Sequence, residues 1–120
     1  TIMVTHCNHA NEVDDAVTVA LETLRDHNII TLNQAVLLKG INDNVGAQVA
    51  LNQALFATGT LPYYLHLLDK VQGAAHFDVA ESKAHQVMEG VAASLPGYMV
   101  PKLVREVARA DAKVIAKQHE

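Results

Sequence analysis

The segment Thr5-His6-Cys7-Asn8-His9-Ala10-Asn11-Glu12 gathers hydrogen-bonding and metal-capable side chains directly after the apolar run Ile2-Met3-Val4. An unpartnered buried polar group costs a few kcal/mol, so such a set suggests a site rather than a core. His6 and His9 stand three apart and could share a metal if helical. In a loop their geometry is open, and no third ligand at zinc spacing accompanies them. Capping of the loop and contact with a ligand are the other roles available to them. Gln34 interrupts a strand-like run of Leu and Val, where a carboxamide either satisfies a nearby backbone group or points into a cavity. Asp69 closes another apolar run. It serves either as a loop or helix-capping carboxylate or as the receiver of a substrate ammonium through charge-assisted hydrogen bonds. Tyr63 and Tyr64 read as core and rim of their strand rather than as stacking platforms. A hydrolase or metal enzyme built on His6 and His9 lacks a serine or cysteine elbow and a Gly-rich phosphate loop.

The elements that must position these residues alternate in type. Strand-like runs occupy about 1–5, 29–38 and 61–68, with a weaker one at 98–104, and helical patterns fill the gaps. Alternation of this kind implies right-handed βαβ crossovers, hence an α/β fold with a parallel sheet of three to four strands. The first helix carries the stripe Val13, Ala16, Val17, Ala20, Leu21, Leu24, with Asn11 as its cap, Glu12, Asp14 and Asp15 at its positive end, and Asn28 as its stop. A second helix is expected from about 45 to 57. The third begins at a capping box of Asp78 with Glu81 and ends before Pro96-Gly97. By composition the tail from Pro101 to Glu120 is an amphipathic helix in which Lys102, Lys113 and Lys117 are solvated. Parallel α/β folds bind ligands beyond the carboxyl ends of their strands. His6, Asn8 and His9, then Lys39 to Asn44, then Asp69 to His76 all fall at such ends.

The chain has 120 residues, enough for one domain spanning 1–120, and half of them are apolar. A net charge of −4 gives no general attraction to nucleic acid or anionic membrane. The single Cys7 excludes an internal disulfide and a Cys-x-x-Cys cluster, and fits a reducing cytoplasm. No apolar run approaches the roughly 20 residues that span a bilayer. The sequence opens almost inside a strand, as expected of a truncated piece.

Together with Leu32-Asn33-Gln34-Ala35-Val36-Leu37-Leu38 and Pro62-Tyr63-Tyr64-Leu65-His66-Leu67-Leu68-Asp69, the Thr5–Glu12 segment resembles the lysine 2,3-aminomutase family of radical S-adenosylmethionine enzymes. The run Asp69-Lys70-Val71-Gln72-Gly73-Ala74-Ala75-His76-Phe77 is nearest to the branch that β-lysylates elongation factor P. The resemblance implies the C-terminal portion of a partial (β/α) barrel, with a short tail over about 98–120 carrying a cofactor lysine. It implies pyridoxal phosphate, S-adenosylmethionine and a [4Fe-4S] cluster in the full-length enzyme, and L-lysine as substrate. By position His6 and Gln34 line the S-adenosylmethionine pocket, Asp69 and Glu106 hold the lysine ammonium, and Lys113 is the Schiff-base lysine. Lys113 follows Gly97-Tyr98-Met99-Val100-Pro101 at the family's spacing, between Ala110-Asp111-Ala112 and Val114-Ile115 where the family has Gly or Pro before and Pro after. The cluster needs three thiolates in a Cys-x3-Cys-x2-Cys loop, which this sequence lacks. The expected partners are the missing N-terminal half of the same protein and a second copy of the chain. The competing reading is a stand-alone α/β ligand-binding or oligomerisation module without catalysis.

Overall fold

The computed structural model describes residues 1–67 and 79–105 and the backbone of 114–115. Four parallel strands, β1 (Ile2–Thr5), β2 (Ile30–Leu37), β3 (Thr60–Leu67) and β4 (Lys102–Arg105), lie side by side in chain order. A short β5 (Val114–Ile115) pairs antiparallel with β4 at the edge. Helix α1 (Asp15–Asp26) links β1 to β2, α2 (Val45–Ala57) links β2 to β3, and α3 (Glu81–Ser94) precedes β4. The expected α/β architecture is therefore present, with the antiparallel β5 as an addition.

Right-handed crossovers between successive neighbours put every connecting helix on one side of a sheet. The core lies on that side. Leu21 of α1, Leu51 and Leu55 of α2, and Ala84 and Met88 of α3 close over Ala35, Leu37, Leu65, Leu67 and Leu103 of the strands. A smaller cluster of Val87, Val91, Leu95 and Met99 seats the end of α3. Along β2 the alternation is regular. Thr31, Asn33, Ala35 and Leu37 are buried toward the helices, while Leu32, Gln34 and Val36 turn to the opposite, more open face.

That alternation would put Tyr64 among the helices, since Pro62 already faces them. A β-bulge prevents it. Asn33 pairs with Pro62 but Gln34 pairs with Tyr64, which leaves Tyr63 as an extra residue. The insertion shifts the phase of β3 by one, so Tyr63 and Tyr64 both face the open side with ring centroids 4.1 Å apart. Leu65 and Leu67 then fall into the core, and His66 joins Gln34 and Val36 on the open face. The two tyrosines thus form one aromatic surface instead of dividing into core and rim.

Several boundaries differ from expectation for local reasons. Asp14, not Asn11, caps α1 by accepting from the N–H of Val17 at 2.9 Å. Asn11 lies in a separate 3-10 turn (Ala10–Glu12), which Val13 ends with a non-helical ψ of 67°. Helix α2 is capped by Asn44, whose side chain accepts from Ala47 N–H at 2.8 Å. Helix α3 starts with Ala80 as its uncapped N-cap and Glu81 as its first residue, so Glu81 does not occupy the third position that a capping box requires. Asp78 lies outside the described residues. Asn28 does end α1, in the left-handed region at φ 62°. In the tail, Lys102–Arg105 is a strand overlapping the weaker one expected at 98–104, and Val114–Ile115 is another, where composition alone suggested an amphipathic helix from Pro101 onward. Pairing with β3 and burial of Leu103 and Val104 override a helix propensity that is worth only tenths of a kcal/mol per residue.

Candidate functional site

At the carboxyl ends of β1 and β2 the backbone is held by side-chain amides. Asn33, buried beneath the end of β1, accepts from the Thr5 hydroxyl at 2.8 Å and the Cys7 N–H at 2.9 Å, and donates to the Cys7 carbonyl at 3.0 Å. Asn8 accepts from Val36 N–H at 2.9 Å, replacing a ladder partner that β1 no longer supplies beyond Thr5. Fully buried Asn42 accepts from Leu38 N–H at 2.7 Å and donates to the carbonyls of Asn8 and Val36 at 2.8 and 2.9 Å. Gln48 of α2 in turn donates to the Asn42 carbonyl at 2.9 Å. Two loops are thereby fastened to one another and to β2. Preorganisation of this kind holds a site's side chains in place.

The polar segment after β1 divides its labour. His9 caps the 3-10 turn, its Nδ1 accepting from Asn11 N–H at 3.1 Å, and Glu12 accepts from the N–H groups of Asn8 and His9 at 2.6 and 2.8 Å. An imidazole nitrogen engaged in this way is not offered to a metal beside His6. Among the described residues no group of three or more His, Cys, Asp or Glu could hold a metal ion. Cys7 packs against the core, and burial, followed by the Glu12 carboxylate, pushes its thiol above the ordinary value of 9.0. A thiol kept protonated is a poor nucleophile and a poor ligand.

His6 is exposed one position beyond the Thr5–Asn33 pair, the last of the β1–β2 register. Gln34 pairs in register with Tyr64, and Tyr64 with Lys102, which sets a glutamine, a tyrosine and an exposed lysine in one row across the open face. One pleat further on, His66 lies in register between Val36 and Val104, with Nε2 at 3.2 Å from Gln34 Oε1. Its ring meets that of Tyr64 edge-on, 6.0 Å away at 72°. The open face therefore offers amide, imidazole, phenol and ammonium groups over an apolar floor. Such a surface suits a ligand with a flat ring and several polar acceptors.

His6 follows β1, and Gln34 lies within the neighbouring strand β2. Asp69, Glu106 and Lys113 lie outside the described residues. Sequence reasoning missed His66, hidden in an apolar strand, and the buried roles of Asn33 and Asn42, which read as ordinary strand and loop residues. It also missed the cluster in which Glu81 accepts from Arg105 Nη1 at the end of β4 and lies 3.4 Å from His85 Nε2. No helix of the described residues is long and apolar enough to cross a membrane.

No family model matches the chain. Among curated proteins it is 51% identical over 108 residues to the L-lysine 2,3-aminomutase of Haemophilus influenzae, covering 90% of this chain and 32% of that protein. It is 50% identical over 106 residues to that of Escherichia coli, covering 88% of this chain and 31% of the relative. The L-lysine 2,3-aminomutase of Clostridium subterminale is 37% identical over 100 residues, with 83% and 24% covered. The chain spans about a third of the length of the first two relatives. With half of its aligned residues shared over nearly its whole extent, it belongs to the L-lysine 2,3-aminomutase family as a segment of that size.

Proposed function

We propose that this chain is the C-terminal portion of an enzyme that moves the α-amino group of L-lysine to its β-carbon, in the service of elongation factor P modification. The observation that carries the reading is the 51% identity over 90% of the chain to an L-lysine 2,3-aminomutase. It is supported by His6, which follows the carboxyl end of β1 where such folds gather their ligands, and by Gln34 within the adjacent parallel strand.

In the full-length enzyme S-adenosylmethionine and a [4Fe-4S] cluster supply a radical and pyridoxal phosphate carries the migrating nitrogen, so the protein's part is to bind and orient. The single cysteine does not fit cluster ligation. A cluster of this kind takes three thiolates, and Cys7 is a single thiol packed against the core with its pKa raised by burial. The cluster's ligands therefore belong outside these residues. Gln34, His6 and the tyrosine surface fit S-adenosylmethionine, with polar groups for its ribose and amino-acid ends and an aromatic surface for its adenine. Asp69 and Glu106 are assigned to the ammonium of the substrate lysine, where charge-assisted hydrogen bonds give both strength and direction. Lys113 is assigned to pyridoxal phosphate. Forming that link requires a neutral amine, hence an environment that lowers the ~10.4 pKa of a free lysine.

The test uses the full-length enzyme. Conversion of lysine to β-lysine is expected, and its absence overturns the reading. Asp69→Ala should lower kcat/KM for lysine by roughly 10- to 100-fold, the worth of one charge-assisted contact, while cofactor absorbance stays intact. Unchanged lysine kinetics would remove Asp69 from the site. Lys113→Ala should abolish the absorbance of bound pyridoxal phosphate, and its retention would show that another lysine carries the cofactor.

A further inference from the structure

His66 occupies a place that the β-bulge alone makes available. Without the extra residue at Tyr63 its side chain would face the helices; with it, the ring lies on the open face between Val36 and Val104 and is 7% exposed. Both valines are β-branched and stiff at χ1, so they wall the ring on its two sides. Tyr64 meets it edge-on at 6.0 Å. From this seat Nε2 reaches Gln34 Oε1 at 3.2 Å. An amide oxygen can only accept, so the imidazole nitrogen is the donor, and His66 carries its proton on Nε2.

The consequence falls on Gln34. A carboxamide presents two donors at one end and an acceptor at the other, and a freely rotating one can offer either to a ligand. With its oxygen engaged by His66, the Gln34 carboxamide is left with its NH2 donors to offer a ligand. The row across the sheet then presents hydrogen-bond donors, since Lys102 is exposed in the same register.

We infer that His66 is a positioning residue for S-adenosylmethionine. It fixes the Gln34 carboxamide so that the amide offers its donors to an acceptor atom of that ligand, a ring nitrogen, a ribose oxygen or the carboxylate. This rests on the reading of the open face as the S-adenosylmethionine pocket. His66 itself touches Gln34, and its effect on the ligand passes through that amide.

The experiment is a double-mutant cycle on S-adenosylmethionine binding to the full-length, cluster-loaded enzyme, with far-UV circular dichroism confirming that each variant is folded. Gln34→Ala is expected to raise the Kd for S-adenosylmethionine about tenfold. His66→Phe, which keeps a ring but no donor, should raise it about fivefold, the size of one neutral hydrogen bond. His66→Gln, whose terminal NH2 mimics Nε2–H, should restore wild-type affinity. The double variant His66→Phe with Gln34→Ala should bind no more weakly than Gln34→Ala, because a positioning residue has nothing left to position. Losses that multiply in the double variant would show a separate structural effect and overturn the inference. So would wild-type affinity in His66→Phe alongside weakened binding in Gln34→Ala. Wild-type affinity in both would overturn the pocket reading itself. Should His66→Phe not fold, His66→Gln decides alone: wild-type affinity supports the inference and a loss like that of Gln34→Ala refutes it.

Discussion

Val45, in the first turn of α2, lies directly over Gly90 of α3, so that a Cβ built at Gly90 would overlap Val45 Cγ2 and meet Cγ1 at 3.2 Å. The two helices owe their close approach to the missing side chain. In an exposed helix Gly→Ala stabilises by about 1 kcal/mol through propensity. Here overpacking of about 1–3 kcal/mol opposes it. Gly90→Ala should therefore lower the chain's unfolding free energy by ~1 kcal/mol in urea titration. In a Val45→Ala background the same change should be neutral or stabilising, and a stabilising effect in both backgrounds would show that the contact is slack.

Asn42 is the brace with most to lose. Asn42→Ala strands the Leu38 N–H and removes donors from the Asn8 and Val36 carbonyls. Each buried group left unpaired costs about 1–3 kcal/mol, so a loss of ~3 kcal/mol is expected in the denaturant midpoint. Asn42→Asp should be as damaging, because a carboxylate cannot donate to either carbonyl. Hydrogen exchange should show residues 6–12 opening faster in both variants. Unchanged protection there would mean that the two loops are not joined through Asn42.

Cys7 gives a pH signature. Burial and then Glu12 raise its thiol above 9.0, so the folded state holds the proton to higher pH than the unfolded chain does. Stability from this group is complete below about pH 9 and declines as pH rises through the folded value. The stability difference between the wild type and Cys7→Ala should stay constant up to that point and shrink above it. Glu12→Gln, which keeps an oxygen for Asn8 and His9, lowers only the folded-state value, so the decline should begin at the same pH but be smaller and end at lower pH. A difference that grows with pH would contradict the assigned environment.

The open face predicts association. Ile2 is 61% exposed, Ile30 54% and Leu61 39%, and among the described residues β1 is paired on one side only. Contiguous apolar surface beside an unpaired strand edge recruits partners. Sedimentation velocity of the chain should show concentration-dependent self-association, and Ile30→Lys should reduce it. A monomer at high concentration would refute this.

The order of strands and helices was legible because it is written in local periodicity, the stripe from Val13 to Leu24 and the apolar runs around Leu32 and Leu65 being clear examples. What escaped is set by pairing across the sheet. Nothing in Pro62-Tyr63-Tyr64 announces a bulge; the extra residue is visible only against Asn33 and Gln34 of the neighbouring strand. Once the phase shift is missed, His66 reads as a core residue and its contact with Gln34 is invisible. Asn33 and Asn42 escaped for a similar reason. The groups they satisfy are 28 and 34 residues away in their longest-range bonds, to Thr5 and Asn8. The apolar run at 98–104 marked the fourth strand, but composition alone suggested a helix there because Ala, Val, Lys and Arg suit either element when isolated, and pairing with β3 decides between them.

The order of the sheet, β1-β2-β3-β4-β5, matches the order of the chain. No strand has to wedge itself between two that are already joined. Each new hairpin-like step of strand and helix can settle on an edge completed moments before, in the direction in which a ribosome releases the chain. Assembly by accretion needs no rearrangement of finished parts, and among the described residues it makes β1 the edge from which the sheet is built outward.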